Sequence, residues 1–259
     1  MSTPVPIRFA AGRDAAVITR RSLTHLLRSP DSMITALALP IVLMLLFVYV
    51  FGGAIDTGTD YLDYVVPGII LLCAAFGAAT TAVSVSSDLT EGIVDRFRTL
   101  PMAQSAFLTG HVLASIARNL ITTAIVIGVA LAMGFRPTTD PVRWLGVVAI
   151  LVLFLFALSY LSTALGLLAR NPEAANGFTF VIMFLPYVSS AFVPAESMPS
   201  WLQWFAENQP ITPIIETVRG LLMGTPIGDS GWLAVAWCIV IAGIGFGWAS
   251  VLYRRRVTR

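Results

Sequence analysis

Lysine is missing from this sequence, in which all 16 basic residues are arginines. The phosphate-binding loop of P-loop ATPases requires a lysine in its GK[ST] motif, and Schiff-base enzymes require a lysine amine. Neither kind of site can be built from this chain. If ATP drives the protein, another chain must bind the nucleotide.

Charged residues are also scarce, at 12% of 259 residues, whereas soluble globular proteins carry about 25%. Hydrophobic residues make up 57% of the chain, and the mean hydropathy is +0.83. The net charge of +2 is too small to indicate a nucleic-acid partner. These values predict an all-α membrane protein whose main solvent is lipid.

There are only two cysteines, Cys73 and Cys238, and each lies in an apolar run. Their spacing offers neither a disulfide framework nor a metal site, so both are predicted to be small core residues. We expect no metal and no cofactor on this chain. A membrane enzyme acting on lipids is disfavoured because acid, base and metal-ligating residues are not clustered.

Six hydrophobic runs are long enough to cross a bilayer, since about 20 helical residues span its hydrocarbon core. We predict six transmembrane helices near 33–52, 64–85, 119–135, 144–168, 174–192 and 232–253. The third helix is expected to begin earlier, near Phe107, and Pro186 is expected to kink the fifth. Close helix contacts are expected at small residues, namely Gly77, Ala78, Ala79, Gly243, Gly245 and Gly247.

The arginines predict the orientation of the bundle. With both termini in the cytosol, 13 of the 16 arginines fall on the cytosolic side, and only Arg136, Arg143 and Arg219 lie outside. The positive-inside rule therefore favours an even number of spans in a bacterial plasma membrane. The chain is interpreted as one transmembrane domain, 1–259, with a cytosolic leader (1–30), a six-span bundle (31–253) and a basic tail (254–259).

The leader contains an amphipathic pattern over residues 8–28. Its basic face is expected to carry four arginines, which are Arg13, Arg20, Arg21 and Arg28. Leucines and Ile18 favour the opposite face, which is typical of a helix lying on a membrane surface. Pro30 is expected to end this helix.

The cytosolic segment 88–100 is predicted to form a short separate helix. Asp88 and Glu91 resemble a capping box at its start. An apolar face is expected from Leu89, Ile93, Phe97 and Leu100, with Asp95, Arg96 and Arg98 elsewhere around the helix. Such a helix could dock into a groove on a partner protein or rest on lipid, and the residues alone leave both alternatives open.

The segment 193–231 is predicted to contain two short helices on the outer side. Trp201, Trp204 and Phe205 suit the membrane interface, and Glu216 and Arg219 share one helical face. Two apolar pieces of about ten residues are too short to span but long enough to enter the outer leaflet and return. A plain interfacial loop is the alternative.

Polar residues also occur within the predicted spans. They are Ser84, Ser86, Ser87, Asn119, Thr122, Thr123, Ser159, Tyr160, Ser162, Thr163, Asn176, Thr179, Ser189 and Ser190. Helix–helix hydrogen bonding is the simpler interpretation, and a lining for an amphipathic substrate is the other. Arg118 is expected to extend to the cytosolic interface. With no ionisable residue at mid-membrane, a stand-alone secondary transporter or channel is the less favoured function.

The chain resembles the permease subunits of type 2 ABC exporters, in particular the daunorubicin-resistance branch of actinobacteria. Three stretches carry the resemblance: RSLTHLLRSPDSMITALALPIVLMLLF at 21–47, SSDLTEGIVDRFRTLPM at 86–102 and MPSWLQWFAENQPITPIIETVRGLL at 198–222. His111 departs from the family pattern, where a Lys or Arg is expected, and its role is left open.

The resemblance implies a six-helix permease that pairs with a second copy or a paralogue around one pathway. Separate P-loop ATP-binding subunits, which hold the ATP and Mg²⁺, are implied to dock beneath the pair. Residues 8–28 then correspond to the interface helix, 88–100 to the coupling helix and 198–222 to the re-entrant helices. Hydrophobic drugs or lipid-like compounds are the implied substrates, moved outward.

Overall fold

The computed structural model describes the backbone of residues 30–91 and 104–257. The predicted leader helix at 8–28 and residues 92–100 of the predicted coupling helix lie outside this part. Its helices are α1 (Pro30–Leu45, continued by a π-helix, Leu46–Phe51), α2 (Tyr61–Thr90), α3 (Gln104–Met133), α4 (Pro141–Leu168), α5 (Pro172–Phe184), α6 (Ser200–Asn208), α7 (Ile211–Met223) and α8 (Ser230–Val257). Short 3-10 helices follow α5 (Leu185–Val188) and precede α6 (Ala195–Ser197).

Within residues 30–91 and 104–257, four helices are long and apolar enough to cross a membrane: Tyr61–Thr90, Leu108–Met133, Pro141–Leu168 and Ser230–Arg254. They correspond to the second, third, fourth and sixth predicted spans, and α3 begins on the polar side of its span as expected. The described apolar part of α1, Leu37–Phe51, is shorter. The all-helical, multi-pass architecture is therefore confirmed, while the count of six spans stays a prediction.

The fifth predicted span, 174–192, is not one continuous α-helix. Helix α5 has 13 residues and ends at Phe184. Pro186 lies in the following 3-10 turn and is buried. Proline has no N–H and its ring clashes with the carbonyl four residues earlier, so it weakens an α-helix. Helices α1 and α2 continue through Pro40 and Pro67, whereas here the chain leaves the α-helical conformation just before Pro186. Hydrogen-bonding groups of the chain after α5 must then be paired by other elements.

Local sequence signals set the helix starts. The Asp60 carboxylate accepts a hydrogen bond from the Leu62 N–H (3.0 Å) at the start of α2, and Asp140 accepts one from Val142 (2.9 Å) at α4. Asn171 caps α5 through the Ala174 N–H (2.8 Å). Both α4 and α5 also carry proline in the first turn, where its missing N–H costs nothing.

Helix α2 is the central element of the bundle, since it packs against α1, α3, α4, α5 and α7. Ile69, Ile70, Leu71 and Leu72 are fully buried, and these consecutive positions cover the whole circumference of the helix. A helix that is buried on all sides belongs to the core rather than to the lipid boundary.

Two of the small residues named above bring helices together. A Cβ on Gly77 of α2 would lie 1.6 Å from Asn119 Oδ1 of α3, and one on Gly245 of α8 would lie 2.7 Å from the backbone N of Leu161 in α4. Gly243 and Gly247 have nothing within 4 Å at that position. Of these three glycines of α8, only Gly245 therefore lies against α4.

Candidate functional site

The chain between α5 and α8 folds as a helical hairpin made of α6 and α7, which we call the outer hairpin after the side predicted for it. Trp201 and Trp204 on α6 are 73% and 68% exposed, and Phe205 is also exposed. Helix α7 is instead largely buried. The two helices have 9 and 13 residues, which corresponds to about 13 and 20 Å, so neither can cross a bilayer.

Arg219 fixes α7 to the rest of the bundle. Its Nη1 contacts Glu216 Oε1 at 2.6 Å, as the three-residue spacing predicted, and the same oxygen accepts from Ser190 Oγ at 2.6 Å. Arg219 also donates to the backbone carbonyls of Tyr64 (3.0 and 3.2 Å) and Ser190 (2.7 Å). Its guanidinium carbon lies 3.8 Å from the centre of the Tyr64 ring. One side chain therefore joins α7, α2 and the chain after α5, and we call this group the Arg219 network.

The polar groups exposed by the end of α5 are paired by the hairpin. Gln209 Nε2 donates to the carbonyls of Val188 (3.1 Å) and Leu185 (3.3 Å). Thr212 Oγ1 donates to the Ala206 carbonyl and accepts from the Ser190 N–H (3.4 Å). In an apolar surrounding each unpaired carbonyl or N–H would be costly, so the hairpin and the broken helix stabilise each other.

The hairpin is also attached to α4 and to the loop that precedes it. Thr138 donates its N–H to the Leu222 carbonyl at 2.7 Å, and Arg143 Nη1 donates to the Gly220 carbonyl at 3.4 Å. Arg143 lies 3.6 Å from Asp140 and is more exposed than Arg219, at 37% against 12%, while the two acidic partners differ little, at 44% and 36%. The outer hairpin is thus a packed, cross-linked unit rather than a loose loop.

At the opposite end of α2, the prediction for Asp88 was wrong. Asp88 does not begin a separate helix, because α2 continues through it to Thr90 and Glu91 follows as the C-terminal cap. The Glu91 N–H donates to the Ser87 carbonyl at 2.9 Å. Leu89 is partly buried against a small apolar cluster that includes Leu108 and Tyr253. Any separate coupling helix must therefore begin after Glu91.

His111 of α3 pairs with Asp88. The distance from His111 Nε2 to Asp88 Oδ2 is 3.0 Å, and the side chains are 11% and 28% exposed. His111, the residue that departs from the family pattern, therefore has a structural role, since this contact joins the Asp88 end of α2 to α3. Sequence spacing gave no signal for it, since the two residues lie on different helices.

The expectation for Arg118 was also wrong. Its Nη2 donates to Thr81 Oγ1 (2.9 Å) and to the Gly77 carbonyl (3.3 Å) on α2. Thr81 and Gly77 precede Asp88 by seven and eleven residues, about 10 and 16 Å along the helix. The guanidinium thus lies inside the apolar part of α2 and not at the end that carries Asp88, which is the end predicted to be cytosolic. The absence of an intramembrane ionisable residue can no longer be used against a secondary transporter.

A chain of hydroxyl groups surrounds Arg118. Thr81 Oγ1 and Ser115 Oγ lie 2.7 Å apart, Ser159 Oγ donates to Ser115 Oγ at 3.0 Å, and Asn119 Nδ2 donates to the Ser115 carbonyl at 3.0 Å. These contacts join α2, α3 and α4, which favours helix–helix hydrogen bonding for this part of the polar set. Thr81 and Ser115 were missed in the sequence, although Ser115, Asn119 and Thr122 recur at helical spacing.

The sequence profile of the ABC-2 type transporter family matches residues 14–223 of this chain. The chain is 32% identical over 219 residues to the daunorubicin resistance ABC transporter permease protein DrrB1 of Streptomyces coeruleorubidus, covering 81% of this chain and 77% of that protein.

Two relatives come from Mycobacterium tuberculosis. The probable doxorubicin resistance ABC transporter permease protein DrrC is 29% identical over 241 residues, 90% of this chain and 87% of its own length. The doxorubicin resistance ABC transporter permease protein DrrB is 24% identical over 233 residues, 83% and 77% of the two chains. With its membrane-spanning helices, its outer hairpin and a profile match over most of its length, the chain belongs to the ABC-2 type transporter family as a membrane permease subunit of an ABC exporter.

Proposed function

We propose that this permease is one of two membrane subunits of an exporter that moves hydrophobic drugs or lipid-like compounds out of the cell. The observation that carries the proposal is the similarity, over 80–90% of the chain, to permeases named for daunorubicin and doxorubicin resistance. A separate P-loop subunit would bind and hydrolyse ATP with Mg²⁺, since this chain has no lysine for such a site.

The packing of the bundle supports a pathway between two permeases rather than through one. The residues of α2 that face its neighbours are fully buried, so the centre of the subunit is filled with side chains. Large apolar side chains are instead exposed on α1 and α5, among them Tyr49 (69%), Val181 (67%) and Phe180 (57%). These faces are available to lipid or to the second permease.

Two structural connections support coupling to an ATPase on the cytosolic side. Helix α2 is continuous from the outer loop to Thr90, and the Asp88–His111 pair joins its inner end to α3. A push on residues 92–100 would therefore move α2 and α3 together. In this proposal, closure of the ATPase dimer acts on that segment and on 8–28, and the two permeases tilt against each other.

The docking role predicts the effect of a charge on the apolar face of the coupling segment. Phe97→Asp is expected to reduce co-purification of the cognate ATP-binding subunit by at least about tenfold, because it places a carboxylate in an apolar groove. Pull-down of the tagged permease, followed by quantification of the bound ATPase, measures this.

Phe205→Asp is the matched control, since it makes the same change at an exposed phenylalanine of α6 on the opposite side of the membrane. It should leave ATPase binding unchanged. Full retention of the ATPase by the Phe97 variant would show that the docking surface lies elsewhere.

The proposed orientation, with both termini cytosolic, is tested by labelling single cysteines in intact cells. Thr59 is exposed in the α1–α2 loop, and a cysteine there should react with a membrane-impermeant maleimide. Arg170 is exposed in the α4–α5 loop, and a cysteine there should react only after permeabilisation. The native cysteines are buried and should give little background. The reverse pattern of labelling would contradict the orientation.

A further inference from the structure

Arg118 is a cation without an anionic partner inside an apolar helix. It makes no ion pair with any residue of the described part of the chain. Its two hydrogen bonds go to neutral acceptors, and Nε is buried without a partner. The Gly77 carbonyl that it uses already accepts from Thr80 and Thr81. Placing a charge at this depth is costly, and neutral oxygens compensate it only in part.

The residues next to Arg118 are closely packed and hydrogen-bonded. The missing side chain at Gly77 leaves the space that the Asn119 amide fills, which holds α2 and α3 close together beside the guanidinium. Asn119 and Ser115 are buried and hydrogen-bonded to each other. The position of Arg118 on α3 is therefore fixed by the packing of Asn119 against Gly77 and by the hydrogen bond between Asn119 and Ser115.

A polar stripe on α2 begins at Thr80, which shares the Gly77 carbonyl with Arg118. Thr80 is exposed, and Ser84 and Ser87, which follow on the same helical face, are partly exposed. This stripe runs from the Arg118 level toward the cytosolic end of α2. A phosphate or carboxylate could reach the guanidinium along it while an attached apolar chain stays in lipid.

We propose that Arg118, with Thr80 and Ser84, forms a binding site for an anionic group carried on an apolar chain. Arginine suits this ligand because its planar donors bind phosphate and carboxylate oxygens bidentately, and in an apolar surrounding such a charged pair is strong. The Nη1 and Nε donors, which have no acceptor in the described structure, are the ones that would engage it. The anion is either the headgroup of a resident lipid or the acidic group of a transported amphiphile.

The binding test uses the purified permease alone, with dodecyl phosphate as the probe and dodecyl maltoside as the uncharged reference. Wild type is expected to bind dodecyl phosphate, seen as a rise in its thermal unfolding midpoint, and Arg118→Gln should weaken the apparent affinity by roughly tenfold or more. Arg118→Lys, which keeps the charge, should bind with intermediate affinity. Arg143→Gln, which removes an arginine on the outer side, should bind as wild type does.

A second variant keeps the test decisive should Arg118→Gln fail to fold. Thr80→Glu places a carboxylate beside the guanidinium, since Thr80 and Arg118 share the Gly77 carbonyl. It is expected to raise the unfolding midpoint without ligand and to abolish the shift caused by dodecyl phosphate. An unchanged shift in either variant that folds, or no shift in wild type, overturns the proposal.

Two further arms distinguish the source of the anion. Retention of phosphatidylglycerol by wild type and its loss from Arg118→Gln, measured by native mass spectrometry, would assign a resident lipid. Stimulation of ATP hydrolysis by dodecyl phosphate in the complex with the ATP-binding subunit would assign a transported amphiphile. Only this last arm rests on the proposed exporter function, so failure of that function leaves the binding result intact.

Discussion

Gly245→Val is expected to lower the free energy of unfolding by about 3 kcal/mol, because the new side chain has no room between α8 and α4. Its Cβ would lie 2.7 Å from the Leu161 backbone N and 3.0 Å from the Tyr160 carbonyl carbon. Both are main-chain atoms of a helix and cannot move aside as a flexible side chain would. The two helices must separate along their contact, which carries the largest packing surface of α8. Unfolding of the purified permease in mixed micelles with added SDS measures the loss.

Gly247→Val is the matched control, because it lies two residues along the same helix and a Cβ there meets nothing within 4 Å. Its effect on unfolding should stay within about 0.5 kcal/mol. An equal loss in the two variants would mean that valine itself, and not the contact with α4, destabilises α8.

Arg219→Gln is expected to destabilise the permease by about 3 kcal/mol and to loosen the outer hairpin. The substitution removes the guanidinium that donates to the Tyr64 and Ser190 carbonyls and pairs with Glu216, whose carboxylate keeps only the hydrogen bond from Ser190 Oγ. Arg219 is only 12% exposed, whereas Glu216 is 36% exposed, so the expected loss comes mainly from the hydrogen bonds that Arg219 donates, at about 1 kcal/mol or more for each partner left unpaired. The unfolding midpoint and the rate of proteolytic cleavage between residues 189 and 210 report the two effects.

Arg143→Gln tests whether burial is the cause, since Arg143 also forms an ion pair three residues apart on the outer side. Its pair with Asp140 is 3.6 Å long, and the side chains are 37% and 44% exposed. A pair of this kind contributes about 0–1 kcal/mol. Similar losses for Arg143→Gln and Arg219→Gln would argue against the Arg219 network as the element that holds the hairpin.

Sequence reasoning succeeded where the signal was local. The hydrophobic runs located the four long helices, and the three-residue spacing placed Glu216 beside Arg219. The remaining partners of Arg219, Tyr64 and Ser190, lie 155 and 29 residues away along the chain. No periodicity within α7 can indicate them, because their position depends on how α2 and the end of α5 pack against it.

The errors share a physical cause. Arg118 was expected to extend toward water because long cationic side chains usually do so near a helix end. Acceptors on α2 hold it inside instead, and their alignment with α3 follows from the tertiary register. Asp88 was assigned to a capping box because Glu91 follows it at the right spacing, but a helix that is already formed continues through such a pair.

The glycines of α8 show the same limit more simply. Residues two apart on a helix point in nearly opposite directions, so Gly243 and Gly247 share a face and Gly245 lies on the other. That much can be read from the sequence. Which of these faces meets α4 depends on the packing of the bundle.

Helix α2 is one continuous helix of 30 residues, so a movement at one of its ends would be transmitted to the other. Tyr64, which belongs to the Arg219 network, precedes Gly77 by 13 residues, or about 20 Å along the axis of α2. Asp88 follows Gly77 by 11 residues, or about 16 Å. At Gly77 the Asn119 side chain of α3 packs directly against the backbone of α2, so we take this residue as the pivot. A tilt of about 10° about this fulcrum would carry the two ends about 3 Å in opposite directions. In the proposed exporter, such a tilt would convert a small movement of α2 on one side of the membrane into a displacement of comparable size on the other, without bending the helix.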